Sequence, residues 1–181
     1  RNLQMDLGLL AQYHFLQFQY IGGCIFHVYS LDKNRTLHLT MEPYRIREIT
    51  PEDNQAVTAL VRQVIVEMEV PIEGSAYYDE ALNDMYSAYQ EENHSYFVVE
   101  ENGAIIGCAG IGPLEHADGK VCELQKMYFL KDARGKGIGA NMIQKCLDAA
   151  KAFGFEACYL ETMPNMIAAQ KLYQKNGFEY L

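Results

Sequence analysis

Between Tyr44 and Leu181 the spacing of apolar positions changes repeatedly, and each change marks an element. Tyr44-Arg45-Ile46-Arg47-Glu48-Ile49 alternates with period two, as a strand does. Thr50-Pro51-Glu52-Asp53 then signals a helix start, with a capping residue, proline at the first position and acids in the first turn. Val57, Leu60, Val61, Val64, Ile65 and Met68 follow at three-four spacing and predict an amphipathic helix. Pro71 and Gly74 punctuate a loop, and a second helix is expected with Leu82, Met85, Tyr86 and Tyr89 on one face. Tyr96–Glu100 and Ala104–Ile111 form two strands joined at Asn102-Gly103, a hairpin signal. Val121–Leu130 is another strand. A third helix carries Met142, Ile143, Cys146, Leu147 and Ala150 on its apolar face. Phe155–Leu160 is a strand, Met166–Lys175 a helix ending at Asn176-Gly177, and Phe178–Leu181 a final strand. This order predicts an α/β or α+β sandwich without repeats or low-complexity linkers.

The first forty residues show no such pattern. Leu7 to Leu31 carries no formal charge, yet Gln12, His14, Gln17, Gln19, His27 and Ser30 interrupt it and no basic cluster flanks it. It therefore fits neither a membrane span nor a signal peptide. The expectation is an extension over 1–40 that is not part of the native protein, followed by a domain over 41–181 that stops early. An extra hairpin or a partner-binding arm is the alternative for the extension.

A chain of 181 residues, 49% hydrophobic, is large enough for one well-cored domain. Its net charge of −9 argues against a general affinity for nucleic acid. The positive charges gather at Lys126, Lys131, Arg134 and Lys136, which suits an anionic ligand. Cys24, Cys108, Cys122, Cys146 and Cys158 show no CxxC spacing and are read as buried reduced thiols, as in a cytoplasmic protein. His14, His27 and His38 lack zinc spacing, so no metal is expected.

The most informative run is Arg134-Gly135-Lys136-Gly137-Ile138-Gly139, set between a strand and a helix. Alternating glycines let the main chain approach a ligand, and the helix N-terminus and the basic side chains favour a pyrophosphate. A P-loop is excluded because Gly137 follows Lys136 where Ser or Thr is required. A loose dinucleotide fingerprint survives with Ala140 as the third small residue and Glu161 at the end of the next strand. An antiparallel hairpin precedes it, however, rather than a doubly wound sheet.

Glu123-Leu124-Gln125-Lys126-Met127-Tyr128-Phe129-Leu130 leads into this loop. A second block runs from Tyr159-Leu160-Glu161-Thr162 through Asn165 to Leu172-Tyr173-Gln174-Lys175-Asn176-Gly177-Phe178. Together they resemble the GNAT superfamily of acyl-CoA-dependent N-acyltransferases, over about residues 44–181. The resemblance implies a mixed, mostly antiparallel sheet flanked by helices, with the strands at Val121–Leu130 and Phe155–Leu160 splayed apart. It implies acetyl-CoA as co-substrate. Met127 and Phe129, with Tyr128 between them, would bind the pantetheine arm through the backbone. The amides of Gly135, Lys136, Gly137, Ile138, Gly139 and Ala140 would wrap the pyrophosphate, with Arg134 at its edge. Asn165 would contact the cofactor or cap the last helix.

The chemistry implied is direct transfer of the acetyl group to a primary amine through a tetrahedral intermediate. Tyr173 is the candidate acid for the thiolate, Glu123 the candidate base and Glu161 its substitute. The acceptor is a small-molecule or peptide amine, chosen within about residues 57–89, where Glu73, Tyr77, Tyr78, Asp79 and Glu80 either line a pocket or form a solvated helix start. No nucleic-acid or membrane partner is expected, and a homodimer stays open. Cys122 and Cys158 are read as core, and His94 and His116 receive no role. Two other readings remain: a catalytically silent acyl-CoA-binding module and a dinucleotide binder.

Overall fold

The computed structural model describes residues 25–30, 44–69, 71–73, 75–117 and 119–181. Its strands are β1 (Ile25–Ser30), β2 (Arg45–Glu48), β3 (Ser95–Glu101), β4 (Ala104–Pro113), β5 (Val121–Phe129), β6 (Ala157–Thr162) and β7 (Glu179–Tyr180). Its helices are α1 (Asn54–Glu67), α2 (Met85–Ala88), α3 (Ile138–Ala152) and α4 (Ile167–Lys175). The strands form one sheet in the order β2-β3-β4-β5-β6-β1-β7, in which only the β5–β6 pair is parallel. The expected mixed, mostly antiparallel sheet between helices is thus present. Most of the 1–40 segment, with Cys24, His14 and His38, lies outside the described residues, as do Met41 and Gly74. Ile25–Ser30 is the exception, and pairs antiparallel with β6 and with β7.

Side-chain alternation divides the core between the two faces of the sheet. On one face Val57, Leu60, Val61, Val64 and Ile65 of α1 pack with Tyr96, Val98 and Cys108. On the other, Met142, Ile143, Cys146 and Leu147 of α3 pack with Phe97, Val99, Ala109, Ile111, Cys122 and Leu124. Burial contributes about 1.5–3 kcal/mol per large apolar side chain, against about 1 kcal/mol for a helix cap. Burial therefore decides where α1 lies, and the cap decides where it begins. There the Asp53 carboxylate accepts hydrogen bonds from the Thr50 amide (2.8 Å) and hydroxyl (3.0 Å) and forms a bidentate pair with Arg47 (2.6 and 2.9 Å). Among the described residues no helix is long and apolar enough to cross a membrane.

Two local departures from regular structure bear on the site. The first is in the expected second helix, which is broken into 3-10 turns at Ala76–Tyr78 and Glu80–Asp84 and the single turn α2. The aspartates cause the breaks. Asp79 accepts from the Ala81 amide and Asp84 from the Ser87 amide, so each restarts the chain instead of continuing the ladder. The predicted apolar face persists nonetheless, since Leu82, Met85 and Tyr89 are buried.

The second departure is a bulge in β5. Gly110 pairs with Gln125 and Cys108 with Tyr128, so β5 carries one extra residue there, and Lys126 is left-handed at φ 46. The extra residue switches alternation. Cys122 and Leu124 face the α3 layer before it; Met127 and Phe129 face that layer after it, while Tyr128 and Leu130 pack on the α1 side.

Candidate active site

β5 and β6 pair only at Val121↔Ala157, Cys122↔Cys158 and Glu123↔Tyr159, although β5 runs on to Phe129 and β6 to Thr162. Beyond Glu123 the two strands diverge, as the splayed-pair expectation requires. The β5 edge facing that divergence can accept an extended ligand as an added strand. Met127, Tyr128 and Phe129 all lie on this stretch. The Phe129 ring covers Gly107, where a Cβ would come within 2.5 Å of its Cε1. Burial pushes the Tyr128 phenol up to about 12.

The glycine loop meets the end of this strand. Gly135 and Gly137 have φ of 75° and 83°, and a Cβ added at either would meet nothing within 4 Å. Gly139 differs: its Cβ would lie 2.9 Å from Leu172 of α4 and 3.6 Å from Met127, so it is glycine for packing. Gly137 caps α3, and its carbonyl accepts from the Ala140 (3.0 Å) and Asn141 (3.3 Å) amides. The amides before Ala140 therefore precede the helical ladder, at the positive end of the helix dipole. Ile138 is buried and anchors this end, Ala140 is half-buried, and Lys136 is exposed.

Arg134 is already engaged. Its Nε donates to the Phe129 carbonyl (2.9 Å) and its Nη1 to Glu67 at the end of α1 (2.8 Å). The guanidinium thus braces the loop against two elements, a role that the sequence alone did not assign.

Tyr173 projects from α4 into the core beside Phe178, at 5.9 Å between ring centroids. Burial raises its phenol above the ordinary value, with Tyr128 a smaller contributor, so it stays protonated. Asn165 is exposed in the turn before α4. The cap residue there is Met166, so the Asn165 side chain does not cap the helix.

Glu123 faces the α1 layer. Burial raises its carboxyl above the ordinary range, a hydrogen bond from Gln125 works against that, and Glu161 raises it further. Gln125 Nε2 donates to Glu123 Oε2 (2.8 Å), and the Tyr89 hydroxyl donates to Gln125 Oε1 (2.7 Å). Glu161 is exposed and accepts from the Tyr159 hydroxyl (2.8 Å). Lys126 Nζ reaches Asp79 (2.6 Å), tying the bulge to the turns before α2. Of the proposed acceptor-pocket residues, Asp79 is thus placed beside β5, whereas Tyr78 is 71% exposed.

Tyr89, Gln125 and His94 were missed as site residues. The available signal was the pair Gly110 and Gly112 on β4, which lie opposite Gln125 and Glu123. A Cβ at Gly110 would strike Tyr89 (2.7 Å) and the Ser95 carbonyl (2.9 Å), and one at Gly112 would strike the His94 ring (2.5 Å). The four described cysteines are buried and unpaired. The neighbouring Cys122 thiol and burial push Cys158 well up, which disfavours a thiolate nucleophile. Among the described residues no group of His, Cys, Asp and Glu is arranged to hold a metal ion.

Residues 60–178 match the model of the Acetyltransferase (GNAT) family. The chain is 38% identical over 137 residues to the uncharacterized N-acetyltransferase YjgM of Escherichia coli, covering 75% of this chain and 82% of that protein. An acetyltransferase of the GNAT family from Staphylococcus aureus Mu50 superposes with a TM-score of 0.67 at 22% identity, over 75% of this chain and 83% of that one. The putative acetyltransferase yncA from Salmonella typhimurium, solved with its cofactor acetyl-CoA, superposes with a TM-score of 0.66 at 22% identity, over 76% and 80%. The chain belongs to the GNAT family of N-acetyltransferases.

Proposed function

We propose that this chain transfers an acetyl group from acetyl-CoA directly to a primary amine of a small molecule or peptide. The observation that carries this reading is the end of β5–β6 pairing at Glu123↔Tyr159, next to a loop whose Gly135 and Gly137 leave their Cβ positions open. The backbone of Met127 to Phe129 receives the extended pantetheine arm. The amides of residues 135–140 hold the pyrophosphate, for which a helix N-terminus needs no side chain. Arg134 keeps the loop in place by bracing it to α1. Asn165 contributes from the turn before α4.

Glu123 takes the proton of the incoming ammonium group, so that a neutral amine attacks the acetyl carbonyl. Its raised proton affinity suits a base that must hold that proton. The Tyr173 hydroxyl, kept protonated by burial, donates to the departing thiolate sulfur. The acetyl-CoA-bound yncA structure supports the choice of donor.

Calorimetry with acetyl-CoA tests the reading, using wild type and Gly137→Val, with NAD(H) as competitor. Acetyl-CoA is expected to bind wild type, to bind the variant at least about tenfold more weakly, and to resist NAD(H). Competition by NAD(H) would favour a dinucleotide binder. Acetyl-CoA binding without transfer to any of a broad panel of amines would favour a silent module.

A further inference from the structure

We propose that Tyr89 and Gln125 are positioning residues for the Glu123 carboxylate, acting in series through two hydrogen bonds. The inference rests on the assignment of Glu123 as the base. Gln125 presents an amide whose two ends differ, and only its NH₂ end can donate to a carboxylate. The Tyr89 hydroxyl removes the ambiguity. By donating to Oε1 at 2.7 Å it turns Nε2 toward Glu123 Oε2, which it meets at 2.8 Å. One carboxylate oxygen is thereby pinned and the direction of the other is set.

Tyr89 has little freedom to do otherwise. It is 6% exposed, tilts against Tyr96 at 4.7 Å and meets His94 edge-on at 6.0 Å. The Tyr96 ring and then the Tyr89 ring (2.7 Å) fill the space that a Cβ at Gly110 would need, and the His94 ring fills that at Gly112. Those two glycines stand opposite Gln125 and Glu123 in the β4–β5 register. The β4 strand thus carries no side chain at the two positions where the rings of Tyr96, Tyr89 and His94 pack, opposite Gln125 and Glu123. His94 is itself fixed, its Nδ1 standing 3.0 Å from the Glu92 carbonyl. Burial keeps the Tyr89 phenol protonated, so its hydroxyl remains a donor.

The charges around Glu123 define the expected response. Burial raises its carboxyl most, Glu161 on β6 and Glu115 after β4 add to that, and Lys126 and the Gln125 bond oppose it. Tyr89 and Cys158 also feel the Glu123 charge, but burial for Tyr89, and the Cys122 contact with burial for Cys158, keep both protonated. Removing the Gln125 donor therefore drives the Glu123 titration upward.

The test follows the side-chain carboxyl carbon of Glu123 by ¹³C NMR titration, in full-length protein saturated with acetyl-CoA. Its resonance is identified by its loss in Glu123→Gln. Gln125→Leu is expected to raise the midpoint by about one pH unit, as loss of a bond to a charged group should. Tyr89→Phe is expected to raise it less, and the double variant no more than Gln125→Leu alone. Gln125→Met replaces the leucine variant if that one fails to retain acetyl-CoA. An unchanged midpoint without the Gln125 amide overturns the proposal. So does a Tyr89→Phe shift of equal size in both backgrounds, since action in series forbids it. Coupled titrations with wild-type acetyl transfer by Glu123→Gln would instead remove the base assignment, leaving the chain of bonds intact but without a catalytic group to position.

Discussion

Two pairs of glycines flank β5. At Gly135 and Gly137 the backbone is left-handed and an added Cβ would meet nothing within 4 Å. At Gly110 and Gly112 the Cβ position is already taken by Tyr89, Tyr96 and His94. The first pair leaves space open, where the proposed donor would lie. The second has ceded its space to the protein's own rings. The proposed donor side is therefore built from backbone and open space, and the proposed acceptor side from interlocked side chains. Substitutions on the two sides should fail in different ways.

The largest effects are expected at the proposed acid and base. Tyr173→Phe and Glu123→Gln should each lower the transfer rate by about 10²–10⁴-fold. Their pH profiles should separate them. In its proposed role Glu123 acts as a base only when deprotonated, and burial holds its titration above the ordinary carboxylate range. The penalty of Glu123→Gln should accordingly be full above that titration and shrink as pH falls through it. The penalty of Tyr173→Phe should stay constant across the same window. A constant Glu123→Gln penalty would break the distinction.

Gly110→Ala comes next. The new methyl would sit 2.9 Å from the Ser95 carbonyl, a backbone atom that cannot rotate away. Urea denaturation should show a loss of about 3 kcal/mol. Gly137→Ala should cost only about 1 kcal/mol, for a left-handed residue with a Cβ, while weakening acetyl-CoA binding about tenfold. If Gly137→Ala were the more destabilising of the two, the contrast between open and occupied glycines would collapse. Smallest is Glu67→Gln, which releases one partner of a half-exposed pair with Arg134. A loss of about 0.5 kcal/mol is expected in the same assay, with acetyl-CoA affinity changed less than about threefold.

The glycine loop proposed for the donor was legible in the sequence because its geometry is local. Arg134 to Gly139 must be contiguous to form a loop at a helix start, so the letters carry the geometry. The sheet was legible for a similar reason, since Tyr96–Glu100 and Ala104–Ile111 are short, largely apolar runs and the Asn102-Gly103 turn joins them with φ of 52° and 80°. The acceptor side was not. Tyr89 and Gln125 are 36 positions apart, and their meeting depends on how β3, β4 and the turns before them pack. Tyr89 looked like one more apolar position on a helix, which the Asp79 and Asp84 restarts then broke. The Arg134 brace to Glu67 spans 67 positions and was invisible likewise.

The extra residue at Lys126 works as a parity bit for β5. Pair β5 straight through Lys126 without the bulge, and every letter of both motifs survives, yet Met127 and Phe129 exchange faces with Tyr128 and Leu130. The backbone edge meant for the donor would turn away, and nothing in a motif match would register the fault. A designer transplanting this strand must therefore copy its bulged pairing as faithfully as its residues.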